Sequence, residues 1–436
     1  MMLVLALVLA QAADVPDLGT RKSGGDWPSF LGPNRDGISP ERGILTKWPA
    51  EGPRIVWQRA LGMSFGAPTI TRGRLFHFDR FGGKMRLSCL KSETGEELWK
   101  TEWATDYSDL HSDNDGPRCC PVVDGDLVFT FGPDGLLQCH RVADGSVVWK
   151  VDTSKDFNVV RNFFGVGSTP LVEGDLLIVH VGGSPPGSPG IDSGETRGAG
   201  SAIVAFEKRT GKVRYKASDE LASYSSPVAA TINGRRWGFV FARGGLVGFE
   251  PATGKVDFHH PWRAEMIQSV NVSNPVIVGD RVFITEAYTV GGALLKVQPG
   301  KCEVVWEDGR RRDRAMSCWW NTPIHADGHL YGASGMQGAD LRCVELATGK
   351  VKWAARGLGS CSLLLADGHF VSLSDEGTLR LVKVNPEKYE ELAKAELKSK
   401  DGEALLKSPA RAAPVLSHGL LYVRGRDRLV CLELIP

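Results

Sequence analysis

Short runs of alternating apolar and polar residues follow one another along most of the chain, and the range 121–149 shows the pattern most clearly. It contains two β-rich runs, at 127–131 and 136–140, that are separated by a Pro-Asp-Gly turn. An Asp-Gly pair between apolar runs is a strong signal for a β-hairpin. The range therefore predicts three short strands and the start of a fourth, and such a unit needs neighbours to cover its sheet.

Comparable units recur at a spacing of about 50 residues, which is in the range of propeller blades. Each inner strand begins at a dipeptide that usually ends in proline: Ala67-Pro68, Cys120-Pro121, Thr169-Pro170, Ser226-Pro227, Asn274-Pro275, Thr322-Pro323, Cys361-Ser362 and Ala413-Pro414. Most units also have a Gly turn that an aromatic residue follows, as in Thr94-Gly95 with Trp99, Asp144-Gly145 with Trp149 and Thr348-Gly349 with Trp353. Four short strands in each of eight units predict an all-β, eight-bladed β-propeller of four-stranded antiparallel blades.

The ends of the chain predict how the ring closes. The last unit, at 414–435, supplies three strands and lacks the outer one. The stretch RIVWQRA at 54–60 precedes the first unit and has Trp57 in the place of the repeat tryptophan. We therefore predict that this N-terminal strand pairs with the C-terminal blade, which removes an open sheet edge. A single propeller then spans 54–436, after a linker and N-terminal extension at 14–53.

These blades have the form Pro, Asp-Gly-Asp, Leu-x-Cys, Thr-Gly-Lys, Trp, which resembles the pyrroloquinoline quinone (PQQ)-type repeat. The stretch DWPSFLGPN at 26–34 is similar to the start of many secreted bacterial proteins with this repeat. The resemblance covers nearly the whole chain from Trp27. It implies the propeller of two kinds of protein, the quinoprotein dehydrogenases and the lipoprotein of the outer-membrane assembly machine. A shared fold does not decide between them.

The first 13 residues, MMLVLALVLAQAA, have an apolar run and the small-residue pattern Ala10-Gln11-Ala12, and both features are typical of a secretory signal peptide. The alternative is a buried N-terminal strand. No other segment is long and apolar enough for a transmembrane helix. We expect a monomeric bacterial protein that is periplasmic or secreted. The net charge of +1, with acids and bases interspersed, argues against a nucleic-acid partner.

The chain has nine cysteines, most of them at shared repeat positions where a small apolar residue is needed. Cys119-Cys120 opens an inner strand and precedes an apolar run. The pair resembles the adjacent cysteines that contact the cofactor in alcohol-oxidising quinoproteins, and this resemblance implies a PQQ site. The alternative is that Cys120 is a repeat core residue and Cys119 an incidental thiol.

The loops from each outer strand to the next inner strand carry the most distinctive side chains. In a propeller these loops meet on one face, so we expect aromatic, Asn and Arg side chains to converge there. Such a face suits a polar, flat ligand, and the alternative is that the aromatic rings only roof the channel. The candidate binding residues are Arg118, Cys119, Cys120, Arg161, Asn162, Asn271, Trp319, Trp320 and Asn321.

Three further segments carry predictions. Asp113 and Asp115 are candidate calcium ligands, with a solvated acidic loop as the alternative. The Gly-rich range 182–200 predicts a surface insertion on the same face as the loops. The range 390–400 favours a helical turn before a degenerate outer strand. Arg424, Arg426 and Arg428 alternate along a strand and are expected on a solvated face.

Two functions follow. The preferred one is a non-catalytic binding or assembly module in the cell envelope, with an envelope protein or polymer as its partner and no cofactor requirement. It is favoured because the chain lacks a recognisable calcium-site motif and the haem motif Cys-x-x-Cys-His. The alternative is a PQQ- and calcium-dependent quinoprotein dehydrogenase that oxidises alcohols or sugars, which Cys119-Cys120 and the polar aromatic face favour.

Overall fold

The computed structural model describes residues 15–110, 114–309, 313–336 and 338–436. Eight antiparallel sheets of consecutive strands make up this part of the chain, and they confirm the eight-bladed β-propeller. The predicted signal peptide and Asp113 lie outside the described residues. No helix in the described ranges is long and apolar enough to cross a membrane.

The strands are numbered β1–β33 in chain order and run outward from the central channel in each blade. Two precede the first blade: β1 (Ile38–Ser39) and β2 (Ile55–Ala60). Blades 1–4 contain β3 (Thr69–Thr71), β4 (Arg74–Phe81), β5 (Lys84–Lys91), β6 (Glu97–Ala104); β7 (Val122–Asp124), β8 (Leu127–Phe131), β9 (Leu136–Arg141), β10 (Val147–Asp152); β11 (Leu171–Glu173), β12 (Leu176–His180), β13 (Ile203–Glu207), β14 (Val213–Ala217); and β15 (Val228–Ile232), β16 (Arg235–Phe241), β17 (Gly245–Phe249), β18 (Val256–Pro261).

Blades 5–8 contain β19 (Val276–Val278), β20 (Arg281–Glu286), β21 (Gly291–Gln298), β22 (Lys301–Glu307); β23 (Ile324–Ala326), β24 (His329–Ser334), β25 (Asp340–Glu345), β26 (Val351–Ala355); β27 (Cys361–Ala366), β28 (His369–Ser374), β29 (Thr378–Lys383), β30 (Glu391–Glu396); and β31 (Val415–Ser417), β32 (Leu420–Arg424), β33 (Arg428–Glu433). Two short helical turns complete the described structure: α1 (Thr153–Asp156) and a 3-10 turn (Ile191–Ser193).

The ring closes as the sequence predicts. Strand β2 pairs antiparallel with β33, so that Trp57 lies opposite Cys431 and completes blade 8. The Trp57 indole N–H donates to the carbonyl of Ser92 in blade 1 over 2.9 Å. A Cβ atom added at Gly95 would lie 2.8 Å from the Trp57 ring, so the turn glycine permits this packing. The N-terminal strand therefore joins blade 8 to blade 1.

The same contact recurs between other consecutive blades and explains the repeat pattern. A tryptophan on the outer strand of one blade donates its indole N–H to a carbonyl of the next blade, and the ring packs on the turn glycine there except in blade 7, which has Asn385-Pro386 at this turn. The donor and acceptor pairs are Trp99 with Val142, Trp149 with Lys208, Trp306 with Leu346 and Trp353 with Asn385, at 2.8–3.0 Å. A larger residue would clash with these rings at Gly145, Gly211 or Gly349.

Residues 27–39, called the axial strap below, cross the central channel on the opposite face from the loops that carry the candidate site. Trp27 forms a β-bridge with Ile70 of blade 1. The buried Arg35 donates to the carbonyls of Thr169, Pro170 and Pro227 in blades 3 and 4. Strand β1 then pairs in parallel with β27 and adds a fifth strand to blade 7. The strap thus connects distant parts of the ring.

The helical turn expected within 390–400 is wrong. This range forms β30, which pairs antiparallel with β29 and supplies a regular outer strand for blade 7. Ala395 and Leu397 are both buried, and Leu397 belongs to an apolar cluster shared with residues of blade 8. Packing of these apolar residues outweighs the helix propensity of the charged residues between them, because intrinsic propensity is a weak preference.

The expectation of a solvated Arg424 is also wrong. Its side chain is buried and donates to the carbonyls of Gly62, Gly425 and Arg426. Every residue of β32 is buried, because neighbouring blades cover both faces of this second strand of blade 8. The alternation of side chains along this strand therefore does not indicate which of them are exposed to solvent. Arg426 and Arg428, at the turn into β33, are exposed and half-buried.

Candidate functional site

A cavity of about 190 Å³ lies on the propeller axis, where the loops between outer and inner strands meet. One repeat position accounts for most of its wall, the residue three positions before the proline of each inner strand. The residues at this position that line the cavity are Phe65, Arg118, Gly167, Tyr224, Val272, Trp320 and Arg411. Blade 7 contributes Ser362 and Leu363 instead. The axial cavity is thus built from equivalent positions around the ring.

Its arginine and aromatic side chains form a continuous stack. The Arg118 guanidinium lies 5.5 Å from the centre of the Phe65 ring and 5.3 Å from that of Phe164. Arg411 lies 5.3 Å from the Phe65 ring and 5.1 Å from the Trp319 ring. A cation within about 6 Å of a ring centre is attracted to the ring face. Both guanidinium groups therefore contact the Phe65 ring.

Carboxylates behind the wall fix both arginines. Asp375 accepts from Arg411 Nε over 3.0 Å and from Nη2 over 3.4 Å. Asp109 accepts from Arg118 Nη2 over 2.7 Å. These ion pairs orient the guanidinium planes and balance their charge, while the residues that line the cavity itself include no Asp or Glu in the described parts of the chain.

The axial strap closes the bottom of the cavity. Phe30 and Leu31 form its floor, below the ring of loop residues. Leu31 has a φ of 60°, and its carbonyl accepts from the Gly37 N–H over 2.9 Å, so the strap turns tightly here. The axial cavity is consequently a blind pocket with an opening on one face.

The structure brings together only part of the predicted site. Arg118, Trp319, Trp320 and Asn321 line the axial cavity. Phe65 and Arg411 were missed by sequence reasoning, although the fixed offset from the repeat proline was available to identify both.

The other predicted polar residues lie elsewhere on the same face. Arg161 and Asn162 line a second cavity of about 280 Å³ between blades 2 and 3. Arg161 lies 4.5 Å from the centre of the Tyr107 ring, and Asn162 Nδ2 donates to the Ala222 carbonyl. Asn271 is fully buried outside both linings, and its side-chain amide donates to carbonyls of the adjoining loops. The 182–200 insertion packs on this face, with Ile191 among the buried loop residues.

Cys119 and Cys120 are not bonded to each other, and neither lines the axial cavity. Cys119 Sγ donates to the Ser168 carbonyl over 3.1 Å, whereas Cys120 Sγ accepts from the Ala67 N–H over 3.2 Å. Burial raises the pKa of Cys120 to about 12 and that of Cys119 well above its usual range. Both thiols are therefore protonated near neutral pH, which makes them weak nucleophiles.

Cys120 belongs to a belt of hydrogen bonds between blades. Its N–H donates to Thr169 Oγ1, and the Thr169 N–H donates to Ser226 Oγ, over 3.1 and 2.9 Å. The Ser226 N–H donates to Asn274 Oδ1, and the Asn274 N–H donates to Thr322 Oγ1, over 2.8 and 3.0 Å. From blade 1 to blade 6 the residue before the repeat proline thus bonds its counterpart in the next blade, and this explains the residue type at position 120.

This belt gives a testable consequence for Cys120. Cys120→Ala is expected to lower the free energy of unfolding by about 1–3 kcal/mol, because the buried Ala67 N–H loses its acceptor. Cys120→Ser retains an acceptor and should cost less. Denaturant unfolding measures both, with Cys302→Ala as the control because Cys302 is half-buried and outside the belt. Equal losses for the Ala and Ser variants would contradict the role of the belt.

Asp115 contacts its own loop and strand β4. Its Oδ1 accepts from the Asp109 N–H over 2.7 Å, and its Oδ2 lies 3.5 Å from Arg80 Nη1. Within the described residues, no group of three or more His, Cys, Asp or Glu side chains is arranged to hold a metal ion. Asp113, the other candidate ligand, is outside those residues.

The repeating blades, the interblade tryptophans and the axial cavity together define a PQQ-like β-propeller. Residues 83–355 match the family described as "Outer membrane protein assembly factor BamB", and the chain belongs to this family. No curated protein matches the sequence.

Solved structures of several proteins share the fold. BamB from Moraxella catarrhalis is 11% identical with a TM-score of 0.58, over 87% of this chain and 97% of that one. Quinohemoprotein alcohol dehydrogenase from Comamonas testosteroni is 12% identical with a TM-score of 0.63, over 98% of this chain and 81% of that one. The computationally designed Ika8 protein is 10% identical with a TM-score of 0.55, over 88% and 100% of the two chains. At these identities the likeness concerns the fold alone.

Proposed function

We propose that this chain is an exported propeller that acts as a non-catalytic binding or assembly module in the cell envelope. The observation that carries the proposal is the axial cavity, where two oriented arginines and a set of aromatic rings surround a blind, apolar-floored pocket. Pockets of this kind, mostly apolar with a few fixed polar groups, are the usual form of a ligand site. Membership of the BamB family supports a place in the envelope.

The residues that line the cavity suit binding more than catalysis. Reaction centres for acid–base or nucleophilic chemistry need a titratable group within reach of the substrate. The axial cavity has arginines, aromatic rings, hydroxyls and Asn321, and its lining within the described chain contains no His, Asp, Glu or Cys. These side chains can orient a ligand, and none of them is a ready proton acceptor near neutral pH.

The described residues do not fit the PQQ and calcium arrangement of the dehydrogenase alternative. The two thiols that would contact the cofactor turn away from the cavity, toward Ser168 and Ala67. The described ranges also contain no set of three side chains suited to a metal ion. We therefore derive no step through PQQ and retain a binding role for the cavity.

The two functions differ in their response to cofactor. On the binding proposal, the melting temperature of the mature protein stays unchanged when PQQ is added with calcium. A ligand that binds only the folded state stabilises by about 2.7 kcal/mol at a hundred times its dissociation constant, so binding would be visible as a clear rise. A calcium-dependent rise that is lost in Cys119→Ser/Cys120→Ser would replace our proposal with the dehydrogenase.

A second experiment tests location and partner. We expect the mature chain in the periplasmic or secreted fraction, with the range 1–13 removed as a signal peptide. A photo-crosslinking amino acid at position 320, on the cavity wall, should give an adduct with an envelope protein or polymer. The same amino acid at position 231, on an exposed residue of the strap side, is the matched control. Cytoplasmic retention, or equal adducts at both positions, would overturn the proposal.

A further inference from the structure

The wall of the axial cavity differs in character from one side to the other. Arg411, Phe65 and Arg118 come from blades 8, 1 and 2, which are consecutive in the closed ring. Tyr224 and Val272 come from blades 4 and 5, on the opposite side. A ligand in this cavity therefore has guanidinium groups at one end and an apolar surface at the other.

Arg411 holds a hydrogen-bond donor ready for a ligand. Asp375 accepts from Nε and Nη2 of Arg411, which leaves Nη1, and this atom forms no hydrogen bond within the described parts of the chain. About 30% of the Arg411 side chain is exposed. Stacking on Phe65 and Trp319 restricts the guanidinium further. A guanidinium held in this way loses little conformational entropy when it binds a carboxylate.

The small net charge of the arginine side favours some anions over others as ligands. Arg411 and Arg118 are each paired from behind with a carboxylate, Asp375 and Asp109, so the arginine side offers directed donors with little net charge. A phosphate or a polycarboxylate would need more positive charge to replace its hydration. A single carboxylate is weakly enough hydrated to be bound by two oriented guanidinium groups.

The rest of the pocket favours an apolar body on the same molecule. Phe30 and Leu31 form the floor, and Val270, Val272 and Tyr288 face the arginines across the cavity. The strap closes the floor, so a ligand ends inside the cavity and does not pass through the propeller. The ligand must therefore present its acidic group on a short molecule or at the end of a chain.

We infer that the axial cavity binds an apolar monocarboxylate, with its carboxylate on Arg411 and Arg118 and its apolar body on the floor and the blade 4–5 wall. The inference rests on the proposed function, because it takes the axial cavity as the binding site. Two sources share this chemistry, a free carboxylic acid and the C-terminal carboxylate of a polypeptide that ends in an apolar residue.

Calorimetric titration of the full mature chain tests the inference with octanoate, octanamide and octylammonium. We expect octanoate to bind, octanamide to bind at least tenfold more weakly, and octylammonium not to bind. Each methylene added from hexanoate to octanoate should increase affinity by roughly threefold to fourfold. Equal binding of the acid and the amide, absence of binding by any of the acids, or tighter binding of inorganic phosphate would overturn the inference.

Variants locate the carboxylate within the cavity. Arg411→Met should weaken octanoate at least tenfold and leave octanamide unchanged, and Arg411→Lys should restore part of the affinity. Arg428→Met, on the outer part of blade 8, is the matched control and should bind octanoate as the parent does. Unchanged octanoate affinity in Arg411→Met would overturn the assignment of the carboxylate to Arg411. If this variant fails to fold, the comparison of octanoate with octanamide on the parent chain still tests the inference.

The two sources are separated with peptides. A pentapeptide that ends in leucine with a free carboxylate is compared with its C-terminal amide and with octanoate. Tighter binding of the free peptide assigns the site to a chain terminus, and tighter binding of octanoate assigns it to a free acid. If the crosslink at position 320 forms while every carboxylate fails to bind, only this inference is wrong and the envelope-binding proposal stands.

Discussion

Trp57→Ala is expected to lower the free energy of unfolding by about 3–5 kcal/mol, the usual cost of removing a buried tryptophan. Trp57 is only 9% exposed and packs against the ring of Tyr422, with 6.1 Å between ring centroids. The variant also loses the hydrogen bond to the Ser92 carbonyl and leaves a cavity where the indole ring packs on Gly95. All three contacts lie where the N-terminal strand joins blade 8 to blade 1.

The position of Trp57 makes its loss different from that of the other repeat tryptophans. Consecutive blades are joined by a covalent loop as well as by packing, whereas blades 8 and 1 are held together through β2. If β2 detaches, β33 becomes an exposed sheet edge, and such edges promote aggregation. We therefore expect Trp57→Ala to increase proteolysis within 46–54 and to favour aggregation on heating.

Urea unfolding and limited proteolysis measure these effects. Trp57→Phe keeps most of the ring and loses the hydrogen bond, so it should cost only about 1 kcal/mol. Trp48→Ala is the control, because Trp48 is half-buried and donates its indole N–H to the Leu45 carbonyl of its own segment. A Trp57→Ala protein with the proteolysis pattern and stability of the Trp48→Ala protein would contradict the closure role of Trp57.

The fold was predictable because the residues that make the interblade contacts occupy fixed places in each repeat. The turn glycine and the aromatic residue that follows it recur in most blades, and both are needed to dock one blade on the next. Trp57 has the same features although it lies outside the repeats, so the closing strand could be recognised as well. Arg424 was mispredicted because alternation along a strand does not report whether a neighbouring blade covers it.

The site was less predictable, because loop conformation decides where a loop side chain points. Asn271 and Trp319 both lie four residues before the proline of an inner strand, yet only Trp319 lines the axial cavity. Asn271 turns inward and donates to backbone carbonyls. The strap that forms the cavity floor has no repeat counterpart, so neither Phe30 nor Leu31 could be placed from the pattern.

The second large effect expected is a loss of stability in mild acid. His77, His140 and His180 are almost fully buried. Burial lowers the pKa of His77 to about 3, with a further contribution from the Arg424 guanidinium, and lowers the pKa of His140 and of His180 to about 4. Between about pH 4 and pH 6.5 the three imidazole rings are therefore mostly neutral in the folded protein, whereas they are mostly protonated in the unfolded chain.

The sign of the pH dependence follows from proton binding. Between pH 6.5 and about 4 the unfolded chain binds more protons at these three positions than the folded protein does, so stability falls as pH falls. For an unfolded pKa of about 6.5, each histidine accounts for about 2 kcal/mol between pH 7 and pH 5. Together they predict a loss of about 6 kcal/mol over that interval, and a nearly constant contribution from these histidines above pH 7.

Urea unfolding at pH 7 and pH 5 measures this loss, and His140→Phe isolates one contribution. The His140 ring stacks on Trp103 with 5.7 Å between ring centroids, so phenylalanine preserves an aromatic ring that does not titrate. The variant loses the Nδ1 hydrogen bond to the Gly145 carbonyl and is expected to be less stable than the parent at pH 7. Its loss between pH 7 and pH 5 should nevertheless be smaller by about 2 kcal/mol. An identical pH dependence for parent and variant would show that His140 becomes protonated in the folded protein, and that its burial does not cause acid instability.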